Sequence, residues 1–337
     1  MPDSLPPSPI SCDLDFERDG AQHGFLRLPW SRDDSAWGSV MIPICVIRNG
    51  TGPTALLIGG NHGDEYEGPV ALYDLAAKLD PAQINGRVII LPTLNEPAFR
   101  AGRRTSPIDG GNLNRTFPGR PDGTPTQKIA DYVTRHLFPL ADYVLDFHSG
   151  GKTLDFLPLA ACHILPDKAQ EARCRAAVAA FGAPYALQML EIDPVGLLDG
   201  VAEAMGKTFV TTELGGAGTT TPERLAITKR GTRNLLVHAG ILDEKPEPAP
   251  QQGQPQWLDM PDGDCFVFAE EGGLVEPCIG LGGRAAPGDI LALIHTAGRT
   301  GAKPIPYRAA REGLVMARHV PGLVKPGDCL AVLAVER

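Results

Sequence analysis

The chain has 337 residues, of which 43% are hydrophobic, so it can form one large domain with a sizeable core and a smaller second domain. Its formal net charge of −9 argues against a nucleic-acid-binding surface, which needs clustered Lys and Arg side chains. The seven cysteines are scattered and form no C-x-x-C pair, which argues against a disulfide framework or a cysteine zinc site.

The predicted elements alternate between strands and helices over the first two thirds of the chain. They are β-type runs between 23 and 49, a strand at 54–60, a helix at 69–79, a strand at 87–92, a helix at 126–138, a strand at 142–147, a helix at 168–181, a strand at 207–212 and a helix at 222–239. Strands separated by helices predict an α/β fold, in which a mixed sheet carries helices on both faces.

Changes in composition divide the chain into four predicted segments. They are a flexible N-terminal arm at 1–20, an α/β domain at 21–245, a Pro- and Gln-rich linker at 246–256 and a C-terminal all-β domain at 257–337. The last segment contains a duplication, because Gly273-Leu-Val recurs as Gly313-Leu-Val, about 40 residues later (313 − 273 = 40). Two such units predict a small barrel or sandwich.

Residues typical of a metal site follow three of the predicted strands. His62 and Glu65 follow the strand that ends in Gly59-Gly60, His148 ends a second strand, and Glu213 ends a third. The carboxyl ends of such strands are where α/β folds build their sites. Two imidazoles and a carboxylate can hold a catalytic zinc ion with an open position, and Glu213 is the candidate general base.

A loop punctuated by Gly and Pro between the first two of these strands carries candidate substrate-binding groups. It contains Arg103, Arg104, Asn112, Asn114 and Arg115. Arginine binds a carboxylate through a bidentate fork, and asparagine adds a further donor, so this loop is a candidate site for an acidic substrate group.

Four motifs in this order resemble the succinylglutamate desuccinylase/aspartoacylase family of the zinc carboxypeptidase superfamily. They are His62-x-x-Glu65, Asn112-Leu-Asn-Arg-x-Phe-Pro-Gly119, Asp146-Phe-His148 and Glu213-Leu-Gly-Gly216. The resemblance implies one Zn²⁺ per chain, held by His62, Glu65 and His148, with Glu213 as acid and base. It also implies that Asn114 and Arg115 bind the substrate α-carboxylate, with Asn112 in the same motif. Arg104 would polarise the scissile carbonyl, and Arg103 competes for that role.

Further segments are similar to the branch of this family that deacetylates N-α-acetyl-L-2,4-diaminobutyrate in ectoine degradation. They are 19–28, 31–38, 147–156 and 319–325. This implies a small N-acyl amino acid with a free amine as substrate, and Tyr307 is a candidate for the family's substrate-contacting tyrosine. Asp155, Glu191 and Asp193 lie in the region between His148 and Glu213, so they are candidates for binding the amine. The alternative within the family is an aspartoacylase or succinylglutamate desuccinylase type of amidohydrolase acting on another N-acyl amino acid.

The C-terminal duplication supports an alternative hypothesis of a different functional class. It resembles the half-barrels of biotinyl and lipoyl domains, which are found in non-catalytic carrier or binding proteins. Lys303 is the lysine between the two halves. The chain has no apolar run near the ~18 residues of a membrane span and no secretion signal at its start. We therefore expect a cytoplasmic enzyme without membrane or nucleic-acid partners, in which a homo-oligomer is possible.

Overall fold

The computed structural model describes residues 5–248 and 254–337. The strands are β1 (Ser11–Cys12), β2 (Gly20–Pro29), β3 (Ser39–Asn49), β4 (Thr54–Ile58), β5 (Gly86–Leu91), β6 (Tyr143–His148), β7 (Leu154–Phe156), β8 (Leu159–Cys162), β9 (Tyr185–Gln188), β10 (Thr208–Glu213), β11 (Gln256–Asp259), β12 (Phe266–Phe268), β13 (Gly273–Pro277), β14 (Arg284–Ala285), β15 (Ile290–His295), β16 (Ile305–Arg308), β17 (Gly313–His319), β18 (Leu323–Val324) and β19 (Cys329–Glu336). The α-helices are α1 (Glu67–Lys78), α2 (Glu96–Ala101), α3 (Pro125–Tyr132), α4 (Lys168–Phe181), α5 (Leu198–Ala204) and α6 (Pro222–His238).

A long mixed sheet forms the centre of the molecule, with strand order β1-β2-β3-β5-β4-β6-β10-β8-β9-β11-β19-β17-β14. Strands β5, β4, β6 and β10 are parallel to one another, while β3 and β8 flank them in the antiparallel direction. The parallel strands β4 and β5 are buried along their whole length, as their continuous apolar sequences require. The predicted mixed α/β fold is confirmed.

Helices α1 and α4 cover the central strands, and α6 packs against both of them. The ring of Phe147 on β6 lies 6.5 Å from the ring of Phe181 at the end of α4, so Phe147 faces these helices. Successive strand residues face opposite sides of a sheet, so its neighbours Asp146 and His148 face the other side. The active-site candidates on β6 therefore project away from the helix layer.

The predicted helix at 126–138 is interrupted. Helix α3 ends at Tyr132, and the chain continues as a π-helical turn from Val133 to Leu137 and a 3₁₀ turn from Phe138 to Leu140. Pro139 has no backbone N–H to donate, and its ring would clash with the carbonyl four residues earlier in an α-helix. A regular α-helix therefore cannot continue through Pro139.

The terminal segments contact the central sheet. In the predicted arm, β1 pairs with β2, and Ile10 is buried in the main core. In the C-terminal segment, β11 pairs in parallel with β9, and β17 pairs with β7. Residues 249–253 of the predicted linker lie outside the described residues.

The C-terminal duplication recurs in backbone geometry. Gly288 and Gly327 both have a φ of 91°, in turns that lead into β15 and β19. In each turn the next residue, Asp289 or Asp328, accepts a backbone N–H at 2.8 Å. Lys303 is exposed between β15 and β16. Across the residues that the structure describes, helices are all too short or too polar to cross a lipid bilayer.

Candidate active site

The turn after β4 brings His62 and Glu65 together. Gly63 permits this turn because its backbone lies against Ala98, where an added Cβ would come within 2.0 Å of the Ala98 carbonyl carbon. Helix α1 begins only two residues beyond Glu65, so both side chains project from one tight segment. The Nδ1 atom of His62 lies 2.8 Å from Oε1 of Glu65, and both residues are buried.

Strand β6 supplies the second histidine. The Nδ1 atom of His148 lies 3.0 Å from Oε2 of Glu65, so the Glu65 carboxylate stands between the two imidazoles. The ring centroids of His62 and His148 are 5.0 Å apart. The three predicted ligands, which are separated by up to 86 residues in the chain (148 − 62 = 86), therefore meet at one point.

The other nitrogen of each imidazole has its own partner. Nε2 of His148 lies 2.9 Å from Oδ2 of Asp146, which also accepts a hydrogen bond from Asn61 Nδ2 at 3.0 Å. Nε2 of His62 lies 3.2 Å from the amide oxygen of Asn112. These partners favour a proton on each Nε2 and leave both Nδ1 lone pairs directed at the common point, which is the usual outer support of metal-binding histidines.

The donor set fits a divalent metal ion, because two Nδ1 atoms and a bidentate carboxylate converge on it. Burial opposes ionisation of Glu65, but the adjacent His62 and His148 outweigh it and hold the pKa of Glu65 well below its usual range. Burial likewise opposes protonation of His148, yet Asp146 and Glu65 raise its pKa well above the ordinary value. A positive charge is therefore favoured between these groups. A bound metal ion would supply that charge and would displace the proton that the raised pKa of His148 favours.

Glu213 lies beside this centre, because β10 runs parallel to β6 with Glu213 in register with His148. Its Oε2 atom is buried and has no hydrogen-bond partner among the described residues. Burial, reinforced by the charge of Glu65, raises the pKa of Glu213 to about 8 despite opposing effects of His148 and Arg104. A carboxyl group that titrates near neutral pH can both accept and return a proton.

Of the two candidate arginines, Arg104 is the one that reaches the centre. Its Nη1 atom lies 3.3 Å from His62 Nδ1 and 3.4 Å from Glu65 Oε1, while half of its side chain is exposed. The backbone carbonyl of Arg103 accepts a hydrogen bond from Gly63 and so anchors the turn that carries His62. The side chain of Arg103 is exposed.

The asparagine motif lies against the same centre. Asn114 is buried, its Nδ2 is 3.5 Å from His148 Nε2, and its Oδ1 accepts a hydrogen bond from Leu198 N at 2.9 Å. Arg115 is exposed and donates to the carbonyl of Asn114 at 2.7 Å. The amide oxygen of Asn112 contacts His62 Nε2 and accepts the N–H of Asn114, so Asn112 orients His62, one of the predicted ligands.

The three carboxylates that are candidates for binding an amine differ in whether their oxygens already have partners. Asp155 forms a salt bridge of 2.6 Å with Arg224, and exposed Asp193 accepts the N–H of Val195 at 3.1 Å. The carboxylate of Glu191 has no hydrogen-bond partner among the described residues and faces His163 Nε2 at 3.6 Å. The hydroxyl of Tyr307 accepts backbone hydrogen bonds from Glu270 and Glu271 and makes none with the site.

Sequence reasoning missed the roles of Asp146 and Asn61. The signal for Asp146 was its spacing, because residues two apart on a strand face the same side, and Asp146 precedes His148 by two. Asn61 precedes His62 directly, but nothing in its local sequence indicates a contact with a residue 85 positions later.

Comparison with known proteins identifies the family of this chain. Residues 51–239 match the succinylglutamate desuccinylase/aspartoacylase catalytic domain. The chain is 54% identical to the N-α-acetyl-L-2,4-diaminobutyric acid deacetylase of Halomonas elongata, over 99% of this chain and 97% of that protein. The product-bound structure of the ectoine utilization protein EutE (DoeB) from Ruegeria pomeroyi has a TM-score of 0.95 and 59% identity, covering 98% of this chain and 99% of its own. A succinylglutamate desuccinylase from Silicibacter sp. TM1040 has a TM-score of 0.95 and 57% identity, covering 99% of this chain and 100% of its own. The chain therefore belongs to the succinylglutamate desuccinylase/aspartoacylase catalytic-domain family.

Proposed function

We propose that this protein is a zinc-dependent amidohydrolase that converts N-α-acetyl-L-2,4-diaminobutyrate to acetate and 2,4-diaminobutyrate in ectoine degradation. The observation that carries the chemistry is the convergence of His62, Glu65 and His148 on one point beside Glu213. The substrate is the one named for the Halomonas elongata relative, whose similarity extends over nearly the whole chain.

Zinc suits the donor set, since two imidazoles and one carboxylate form the three-ligand arrangement of zinc hydrolases. When bound there, zinc would supply an acidified water and polarise the scissile carbonyl. We assign one ion per chain to this site. Histidine and carboxylate ligands also accept neighbouring divalent metals, so metal analysis is part of the test.

Glu213 supplies proton transfer. It accepts a proton from the attacking water and returns it to the nitrogen of the leaving amine, which breaks the C–N bond and frees acetate. Burial and the charge of Glu65 raise its pKa, which favours return of the proton, while a bound zinc ion would oppose that rise and favour the ionised form that accepts the proton. Arg104 is placed to stabilise the negative charge that develops on the carbonyl oxygen, because its guanidinium already lies at the edge of the ligand cluster.

Asn114 and Arg115 hold the α-carboxylate of the substrate in this proposal. Asn114 is fixed by Leu198 and stands next to His148, so a carboxylate bound there would present its acylated nitrogen to the metal centre. The exposed guanidinium of Arg115, which donates to the Asn114 carbonyl, would bind the carboxylate through two parallel hydrogen bonds.

The test is acetate or succinate release by metal-analysed protein from N-α-acetyl-L-2,4-diaminobutyrate, N-acetylaspartate and N-succinylglutamate. We expect the highest kcat/KM with the diaminobutyrate derivative, and a preference for either of the others would assign the chain to another activity of its family. The Glu213→Gln variant should keep its metal and lose about 10³-fold or more in kcat. The matched control is Glu223→Gln, at an exposed position in the first turn of helix α6, which should retain activity.

A further inference from the structure

A second cluster of ionisable side chains has no part in the reaction described above. His163 lies one residue beyond the end of β8, and its Nδ1 atom is 2.9 Å from Glu203 Oε1. Its Nε2 atom faces Glu191 Oε1 at 3.6 Å and Asp199 Oδ2 at 4.0 Å. These two distances are too long for hydrogen bonds, and Nε2 is buried with no partner in the described part of the chain.

Asp199 has unused acceptor capacity inside this cluster. Its side chain is only 9% exposed, its Oδ1 accepts the N–H of Gly200, and its Oδ2 accepts no hydrogen bond from any described residue. This oxygen can therefore accept a hydrogen bond from a ligand. Burial, together with Glu191 and Glu203, raises the pKa of Asp199 to about 6 against the opposing charge of His163.

The cluster is short of positive charge. Three carboxylates and one imidazolium sum to −2 when all are ionised (−3 + 1 = −2). His163 is the only basic member, and Glu203 already holds one of its two nitrogens. A further cation that donates hydrogen bonds would use the free oxygens and reduce the excess charge.

The cluster lies on the sheet face that carries Glu213, further back along β10 from its carboxyl end. Strands β8 and β10 are antiparallel, with Leu159 opposite Glu213 and Ala161 opposite Thr211. Since side chains alternate along a strand, His163 projects from the same sheet face as Glu213.

Asp199 is tied to the proposed carboxylate-binding residues. The preceding residue, Leu198, donates its N–H to Asn114 at 2.9 Å. Glu191 faces the same imidazole nitrogen of His163 as Asp199 does, at 3.6 Å. A substrate held by Asn114 would therefore lie on the side of the centre from which Asp199 and this cluster are reached.

We propose that Glu191 and Asp199 bind the side-chain ammonium group of the substrate and so select a cationic N-acyl amino acid over a neutral or anionic one. The proposal rests on the proposed deacetylase function. An ammonium group has three N–H donors, and Asp199 Oδ2 and the Glu191 carboxylate offer acceptors for two of them. His163, held by Glu203, is a positioning residue that keeps the two carboxylates in place.

The test compares N-α-acetyl-L-2,4-diaminobutyrate with N-acetyl-L-norvaline, in which a methyl group replaces the ammonium. In Asp199→Asn and Glu191→Gln, kcat/KM for the diaminobutyrate derivative should fall about 10- to 100-fold, mainly through KM, because each change removes a charge-assisted hydrogen bond. The value for the norvaline derivative should stay within about threefold. Asp199→Glu should recover part of the preference, and the exposed control Glu223→Gln should change neither substrate.

Three results would overturn the proposal. Equal losses on both substrates would make the two carboxylates structural, and an unchanged preference would place amine recognition elsewhere. A second equivalent of tightly bound metal in the wild type, lost in His163→Ala, would assign the cluster to a metal ion.

If the wild type hydrolyses neither substrate, the proposed function fails and the subsite is judged by calorimetry with free 2,4-diaminobutyrate and norvaline. Tighter binding of diaminobutyrate that disappears in Asp199→Asn supports the subsite. Equal binding of the two amino acids refutes it.

Discussion

Replacement of Asp146 by asparagine tests how the metal centre is built. Asp146 is 1% exposed, and its Oδ2 atom lies 2.9 Å from His148 Nε2 and 3.0 Å from Asn61 Nδ2. The carboxylate fixes the proton of His148 on Nε2 and leaves Nδ1 to a metal. A neutral amide oxygen is a weaker acceptor, and outer partners of this kind contribute about 10- to 100-fold to metal affinity, or about 1.4–2.8 kcal/mol.

The assay is a competition titration with a fluorescent zinc chelator on the wild type, Asp146→Asn and the control Asp131→Asn. Asp131 is also a buried carboxylate, but it pairs with Arg135 at 2.6 Å on the α3 segment. We expect Asp131→Asn to lower stability while leaving zinc affinity intact. Unchanged affinity in Asp146→Asn, or an equal loss in both variants, would refute the assigned role of Asp146.

Three further predictions concern stability. Gly216 has a φ of 140°, and a Cβ there would come within 2.1 Å of the Leu154 carbonyl oxygen. Gly216→Ala should therefore lower the free energy of unfolding by about 2 kcal/mol or more, as measured by thermal denaturation. The control Gly280→Ala should be near neutral, because a Cβ at Gly280 meets open space. Burial opposes protonation of His163, but Glu191 and Glu203 raise its pKa to about 10. The protonated imidazole therefore stabilises the folded state fully below the unfolded pKa of ~6.5, and this stabilisation is lost as the pH rises through 10. In urea titrations, the loss in free energy of unfolding caused by His163→Gln should shrink from about 2–4 kcal/mol at pH 6 to near zero above pH 10. Zinc at 100 times its Kd should stabilise metal-free protein by about 2.7 kcal/mol in calorimetry, and a full response in His148→Ala would contradict the ligand assignment.

The mixed α/β fold and the place of the site follow from local sequence patterns. The apolar run of β4 predicts a buried strand, and parallel strands end at one edge of a sheet, so residues just after β4, β6 and β10 are expected to converge. His62, Glu65, His148 and Glu213 occupy those positions, and the structure brings them together.

Contacts between distant segments are what the sequence left open. Periodicity shows which side of an element is apolar but does not show which element lies next to it. The pairing of β11 with β9, the choice of Arg104 over Arg103 at the cluster and the contact of Asn61 with Asp146 are all of this kind. The group around His163 draws on segments up to 40 residues apart (203 − 163 = 40), and no local motif marks it, because its members meet only when α5 packs against β10.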